Sequence, residues 1–278
     1  MGMRIWYQSM TQLATLTNYR KALEEHAKKY CSDGTKIVFN GVSEDNYHGR
    51  MPAEVLQYSY AKLILQTEVI DICRAAEKNK FDAVILGSFS EPFLPEIRSL
   101  LNIPVISMPE CTLLVACSMA EKFALTTLAP ANVKRVKALV KRHGLESRVS
   151  GYYSLAHPVD EDILNVALKK PKQVVTDFLA TAEQAKADGA DLIVPAEGVL
   201  NLIIQRSKLN PIGRLSVLDC VSTSFLYAEM MINMQRRLGI GIGRMGSYAM
   251  PPADLLAELD AVTQAKASAK VKTKKIDN

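Results

Sequence analysis

Two stretches of the sequence match each other: Asp82-Ala83-Val84-Ile85-Leu86-Gly87-Ser88 and Asp191-Leu192-Ile193-Val194-Pro195-Ala196-Glu197. Each is a short apolar run that follows a segment rich in Ala and Lys, and each leads into a helical pattern. A continuous apolar run of this length is typical of a strand that is buried on both faces of a parallel sheet. The match indicates that one structural unit occurs twice in the chain.

Short apolar runs alternate with longer helical patterns on both sides of these stretches, which predicts βα units and parallel sheets. The predicted strands are 4–8, 36–39, 83–86, 104–107, 123–127, 149–154, 192–194 and 215–218. The predicted helices include 18–29, 53–79, 132–142, 172–188 and 220–237. We therefore predict an α/β fold of two pseudo-symmetric half-domains, each a four-stranded parallel sheet flanked by helices, with the active site in the cleft between them.

The predicted domain boundaries follow from this duplication. We assign residues 1–108 together with 220–260 to the first α/β half and residues 109–219 to the second. Residues 261–278 are predicted to form a flexible, Lys-rich tail, because they hold few apolar residues that can pack.

The composition, 48% hydrophobic and 23% charged, is that of an ordinary globular protein. The formal net charge is +5, but the last thirteen residues hold five Lys against one Asp, so the predicted folded body is nearly neutral. No long apolar run or signal-peptide pattern is present. We expect a cytoplasmic protein that binds neither nucleic acid nor a membrane.

The five cysteines are odd in number and form no CxxC pair. This spacing favours buried reduced thiols over a disulfide framework or a zinc site. No metal site is predicted.

Ser88 and Glu197 occupy equivalent places after the matched strands, and they are the predicted catalytic residues. Ligands of open parallel sheets bind beyond the carboxyl ends of the strands, and a following helix N-terminus can hold an anion. Ser90 continues the Ser88 loop, while Gly198 leaves the backbone after Glu197 accessible. The simpler interpretation is that Ser88 and Glu197 are helix caps or dipole partners.

Other polar side chains at strand ends or in loops are candidates for binding the substrate. Hydroxyls and amides suit that role, although turn and cap chemistry explains them equally well. The loop 40–52 concentrates ligand-recognising side chains and can act as a lid. His157, with Asp160 nearby, can supply a second acid or base, or it is a surface histidine. Together with Ser90 and Gly198, the predicted substrate-binding residues are Gln8, Ser9, Tyr47, His48, Thr126, Thr127 and His157.

A family resemblance runs over nearly the whole chain, to about Pro252. The stretches that carry it are 3–9, 81–92, 103–106 followed by Glu110, 122–127, 140–148, 191–199 and 244–252. In order and spacing they resemble the aspartate/glutamate racemase superfamily, and within it most closely the hydantoin and allantoin racemases. The resemblance implies two pseudo-symmetric α/β halves, a homo-oligomer, and chemistry on a small molecule without cofactor or metal.

That family uses two cysteines, one per half, which face the two sides of a substrate carbon and exchange protons with it. These positions fall on Ser88 and Glu197, and neither is Cys here. A Ser hydroxyl is too weak a base for symmetric proton transfer. We therefore predict an enzyme that uses Glu-based acid/base chemistry on one side of a small carboxylate or cyclic amide.

The reaction class stays open at this point. Hydrolysis or ring opening, a lyase or decarboxylase step, and isomerisation are all compatible with one carboxylate and one hydroxyl. The alternatives are a hydantoin- or amino-acid-type racemase with non-cysteine residues, and an inactive protein that binds a small ligand on the same fold.

Overall fold

The computed structural model describes residues 2–43, 47, 49–50, 55, 58–157, 159 and 161–262. Three features named above lie outside these residues: His48, Asp160 and most of the Lys-rich tail. The prediction of a lid concerns a loop, 40–52, that is described only in part.

Eight strands in the described ranges form two four-stranded sheets, and every strand pairing in them is parallel. The strand order is β2-β1-β3-β4 in the first sheet and β6-β5-β7-β8 in the second. The predicted fold class is confirmed. The strands are β1 Arg4–Gln8, β2 Lys36–Asn40, β3 Ala83–Leu86, β4 Val105–Ser107, β5 Phe123–Thr127, β6 Val149–Ser154, β7 Leu192–Pro195 and β8 Ser216–Val217.

The matched stretches form β3 and β7, which hold the same place in the two sheets. All four residues of each strand are buried, as their continuous apolar sequence predicts. The carboxyl ends of β3 and β7 are therefore equivalent points of the two sheets.

Helices flank both sheets. They are α1 Thr17–Tyr30, α2 Ser59–Lys78, α3 Leu94–Arg98, α4 Met108–Met119, α5 Pro130–Arg142, α6 Glu161–Ala167, α7 Lys172–Ala187, α8 Gly198–Arg206 and α9 Cys220–Leu238. Residues 253–262 are also helical. None of the helices within the described ranges is long and apolar enough to cross a bilayer.

Helix α4 is absent from the predicted helices. Its sequence, MPECTLLVACSM, is apolar on several sides because the helix is largely buried and packs along α9. A helix with apolar residues around much of its circumference lacks the periodic stripe that identifies an amphipathic helix. Ser107 caps its N-terminus by accepting the Glu110 N–H at 3.2 Å.

Helix α9 joins the two sheets into one core. It packs on β3, β4 and α4 of one side and on α8 of the other. Its Phe225 ring lies edge-on to Tyr7, with centroids 6.0 Å apart, and 6.1 Å from Phe39. Aromatic contacts of this kind add to the stability gained by burial, so they hold β1 and β2 firmly against α9.

The five cysteines are free thiols, and three of them are buried: Cys73, Cys111 and Cys220. The expectation of burial is wrong for Cys31 and Cys117, which are half-buried. Both lie at the carboxyl ends of helices, where the chain returns to the surface.

Candidate active site

Ser88 and Glu197 both lie at the carboxyl end of the third strand of their sheet, and both are half-buried. Ser88 comes two residues after β3, and Glu197 directly precedes α8. This is the edge at which open parallel sheets bind their ligands.

Glu197 caps helix α8. Its Oε2 atom accepts the Leu200 backbone N–H at 2.7 Å. A backbone N–H and the positive end of a helix both favour the ionised carboxylate. The capping contact foreseen as the simpler interpretation is therefore present, and it fixes one carboxylate oxygen of Glu197 at the start of α8.

The Ser88 hydroxyl lies in a tight turn with Ser90. The two Oγ atoms are 3.0 Å apart, and the Ser90 N–H donates to Ser88 Oγ at 3.2 Å. Neither partner is a base, so these contacts do not activate Ser88 as a nucleophile. They place two hydroxyls together as hydrogen-bond donors or acceptors for a substrate.

Two buried phenols connect the surroundings of Ser88 and Glu197. The Tyr7 hydroxyl donates to the Gly87 carbonyl oxygen at 3.3 Å. A Cβ atom on Gly198 would lie 2.8 Å from the Tyr19 hydroxyl oxygen and 3.9 Å from that of Tyr7. Tyr7 therefore lies close to the glycine next to each candidate residue, and Tyr19 lies close to the one beside Glu197.

The phenols stay protonated. Burial raises the pKa of Tyr19, and the negative charge of nearby Glu197 raises it further. Burial, followed by the proximity of Tyr19, also raises the pKa of Tyr7. Both are thus neutral hydroxyls beside the Glu197 carboxylate.

Neither tyrosine is among the predicted site residues, because an aromatic residue in an apolar strand or on a helix face is typical of the core. The signal that the sequence offered was the glycine next to each candidate: Gly87 beside Ser88 and Gly198 beside Glu197. Gly87 and Gly198 leave room for Tyr7 and Tyr19, since a Cβ on Gly87 would lie 2.1 Å from the Tyr7 ring.

A buried network of polar side chains holds the start of α8 in place. Asn201 donates from its backbone N–H to the Glu197 carbonyl at 2.9 Å and from its side chain to Asp219 Oδ1 at 2.7 Å. The other Asp219 oxygen lies 2.7 Å from His26 Nε2. Burial alone would raise the pKa of Asp219, but the hydrogen bonds from His26, Asn201 and the backbone hold it below its usual value.

Three of the other candidates cluster near the end of β1. Gln8 is fully buried, and its amide is bound to Asn40, Trp6 and the Ser9 carbonyl. The Ser9 hydroxyl lies 2.9 Å from that of Thr11, and it is close enough to Tyr19 to lower the pKa of that phenol slightly against the effect of burial. The buried Tyr47 donates to the Met10 carbonyl at 2.7 Å. The structure therefore brings Ser9 close to Tyr19, whereas Gln8 and Tyr47 hold the loop after β1 in place.

The candidates of the second sheet are less central. Thr126 lies 3.4 Å from the Thr181 hydroxyl, and Thr127 donates its hydroxyl to backbone carbonyls, so both are engaged inside the protein. His157 follows β6, and β5 separates that strand from β7. The strand that leads to His157 is therefore not a neighbour of the strand that leads to Glu197.

His157 is a surface residue that is anchored to a buried carboxylate. Its side chain is 70% exposed, and both its backbone N–H and its Nδ1 atom contact Asp177, at 3.1 and 3.0 Å. Across the described residues, no group of three or more His, Cys, Asp or Glu side chains is arranged to hold a metal ion.

Comparison with known proteins gives consistent results. The family model described as Asp/Glu/Hydantoin racemase matches residues 14–223. Hydantoin racemase from Rhizobium meliloti is 26% identical over 180 residues, covering 64% of this chain and 70% of that protein. Hydantoin racemase from Paenarthrobacter aurescens is 25% identical over 208 residues, covering 73% and 81%.

Solved structures share the fold. Allantoin racemase from Klebsiella pneumoniae superposes with a TM-score of 0.69 at 22% identity, covering 90% of this chain and 94% of that one. Allantoin racemase from Pseudomonas fluorescens gives 0.67 at 24% identity, covering 90% and 97%. Together with a family model that spans most of the sequence, the duplicated sheets and their matched edges lead to one conclusion: this chain belongs to the Asp/Glu/hydantoin racemase family.

Proposed function

We propose that this protein is a cofactor-independent enzyme that moves a proton at the carbon beside a carbonyl group, with Glu197 as its acid/base. The observation that carries the proposal is the Glu197 carboxylate, which binds the Leu200 N–H at the start of α8 and lies beside two neutral phenols. An ionised carboxylate at a strand end can take a proton from an activated carbon.

The substrate is a small carboxylate or a cyclic amide. Because this chain is related to hydantoin racemases, the cyclic amide is the preferred choice of the two. When Glu197 removes the proton, the electron pair of the C–H bond moves towards the carbonyl oxygen. The Ser88 and Ser90 hydroxyls, which lie 3.0 Å apart, are suited to donate to that oxygen.

The reaction is one-sided. A Ser hydroxyl has no capacity to take a proton from carbon at neutral pH, so Glu197 both removes the proton and returns one. It returns the proton to a neighbouring atom of the substrate in the isomerisation, and to the same carbon in the back reaction that exchange in D₂O detects. This distinguishes the proposed isomerase-type exchange from a racemisation in which two bases act on opposite faces. Hydrolytic ring opening and a lyase step are the competing reactions, and they leave different products.

The test uses enantiopure 5-substituted hydantoins, allantoin and small amino dicarboxylates in D₂O. NMR measures loss of the C–H signal, and chiral chromatography measures configuration. We expect wild-type exchange to fall about 10²–10⁴-fold in Glu197→Gln, the usual contribution of a general base. Gln can still accept the Leu200 N–H through its amide oxygen, so the cap is kept. Glu96→Gln, at an exposed Glu, is the matched control.

Full exchange by Glu197→Gln would contradict the role of Glu197. Products formed without C–H exchange would indicate hydrolysis instead. Tight binding of a ligand without any turnover would indicate a binding protein on this fold.

A further inference from the structure

The loop that carries Ser88 ends on a carboxylate that is withdrawn from solvent. Glu91 is 3% exposed, and it has a φ of 46°, in the left-handed region that residues other than glycine rarely adopt. Its backbone N–H closes the turn by donating to the Ser88 carbonyl at 3.2 Å. Such a conformation persists only where the surroundings hold it.

The groups that contact the Glu91 carboxylate come from both halves of the protein. Ser107, at the end of β4, donates its hydroxyl to Oε1. His143 Nε2 lies 2.9 Å from Oε1 and 3.1 Å from Oε2, and Arg142 donates to Oε2 at 3.2 Å. Arg142 ends α5, which packs on β5 and β6 of the second sheet. One buried side chain thus ties the Ser88 loop of the first sheet to a helix of the second.

The charge of Glu91 is required for these contacts. Burial alone would raise the pKa of Glu91, but the hydrogen bonds from His143 and Ser107 and the charge of Arg142 hold it below its usual value. Removal of one partner would leave a buried charge without compensation, which is strongly destabilising, so substitutions of these partners should disturb the loop.

We propose that Glu91 is a positioning residue that fixes the Ser88 loop against the second half of the protein, so that the Ser88 hydroxyl keeps its place relative to Glu197. This rests on the proposed function, in which Ser88 donates to the charge that develops on the substrate. A displacement of about 1 Å at a reacting group can lower a rate about 100-fold. A group that acts on developing charge affects kcat more than KM.

The test compares Glu91→Gln, His143→Gln and the double variant for kcat and KM of proton exchange. We expect each single variant to lower kcat about 10- to 100-fold with KM nearly unchanged. The double variant should be no slower than the slower single variant, because both remove the same contact. Multiplied effects in the double variant, or wild-type kcat in folded Glu91→Gln, would overturn the proposal.

A second measurement does not depend on activity. Hydrogen exchange of the Ser90 and Glu91 amides, both of which bind Ser88, should become faster in Glu91→Gln. If the wild-type protein moves no proton, the proposed function fails, while amide exchange still decides whether Glu91 fixes the loop. Unchanged amide exchange in Glu91→Gln would refute the positioning role.

A milder pair of variants covers the case in which Glu91→Gln does not fold. Arg142 is 54% exposed, so Arg142→Gln removes one partner without creating a cavity. Lys141→Gln, at the neighbouring exposed position of the same helix, is its control. We expect faster amide exchange in the Ser88 loop for Arg142→Gln and not for Lys141→Gln. Equal exchange rates in the two variants would contradict the positioning role of Glu91.

Discussion

Replacing Gly87 with Ala tests whether Tyr7 is held as tightly as the structure indicates. The added Cβ would lie 2.1, 2.3 and 2.5 Å from Cζ, Cε1 and Oη of Tyr7, whereas carbon atoms in contact are normally about 3.5–4.0 Å apart. The ring is fully buried and packs against Phe39 and Phe225, so it has no free space in which to retreat.

The expected cost has two parts. Overpacking of a rigid, buried ring lies at the upper end of the usual range, about 3 kcal/mol. Movement of the ring also weakens the hydrogen bond from Tyr7 to the Gly87 carbonyl, which contributes about 1 kcal/mol. Gly87 has no positive φ, so backbone strain adds nothing. We expect the free energy of unfolding to fall by about 3–4 kcal/mol.

Urea unfolding followed by circular dichroism measures this loss, and thermal melting should show a fall of roughly 6–16 °C. Gly241→Ala is the matched control, because a Cβ there meets no atom within 4 Å and Gly241 has no positive φ. We expect it to change stability by less than about 0.5 kcal/mol. If Gly87→Ala were as stable as Gly241→Ala, Tyr7 would not occupy the position described.

Three further predictions follow from the same contacts. Gly198→Ala should lower kcat about 10-fold or more, because the added Cβ would displace the Tyr19 hydroxyl, and urea unfolding measured beside steady-state kinetics separates this effect from a loss of stability. Asp219→Asn should lower the free energy of unfolding by about 1–3 kcal/mol at pH 7. Because the pKa of Asp219 is lowered in the folded protein, the stability that it contributes is present above about pH 4 and is lost as the pH falls through the folded pKa. Unfolding curves between about pH 5 and 2 should therefore show that the variant loses less stability than wild type. Iodoacetamide should label Cys117 before Cys31 and Cys73 at pH 8, as peptide mass spectrometry would detect, because burial raises the pKa of both of those thiols to about 12; early labelling of Cys73 would contradict its burial.

The sheets could be predicted from sequence because their strands carry a strong local signal. β3 and β7 are apolar along their whole length and each directly follows an Asp, Asp82 or Asp191, which is consistent with a strand buried on both faces. The prediction was weaker in α4, where burial removes the periodic pattern of a helix. It was also weaker at β8, where Ser216 and Val217 pair with the neighbouring strand instead of the whole predicted run 215–218.

The placement of Ser88 and Glu197 at strand ends was predictable from sequence, whereas the side chains around them were not. Ser88 and Glu197 follow matched strands, so their placement at the two sheet edges depends on strand order alone. The partners that surround them come from distant parts of the chain: Tyr19 lies on α1, and His143 follows α5. Contacts between residues so far apart in sequence depend on how helices pack, which no local pattern encodes.

The asymmetry of the site determines the stereochemistry that the proposed function requires. A base on one face of a carbon removes a proton and returns one to the same face, so exchange with solvent proceeds with retention of configuration unless the intermediate turns over within the site. Glu197 is fixed by its cap to α8, and Glu91 fixes the opposite loop through α5. A site held in this way leaves little freedom for the intermediate to present its other face. Retained configuration with complete deuterium exchange is therefore the outcome that this arrangement of Ser88 and Glu197 predicts, and inversion at a comparable rate would require a second base that neither Ser88 nor Ser90 can supply.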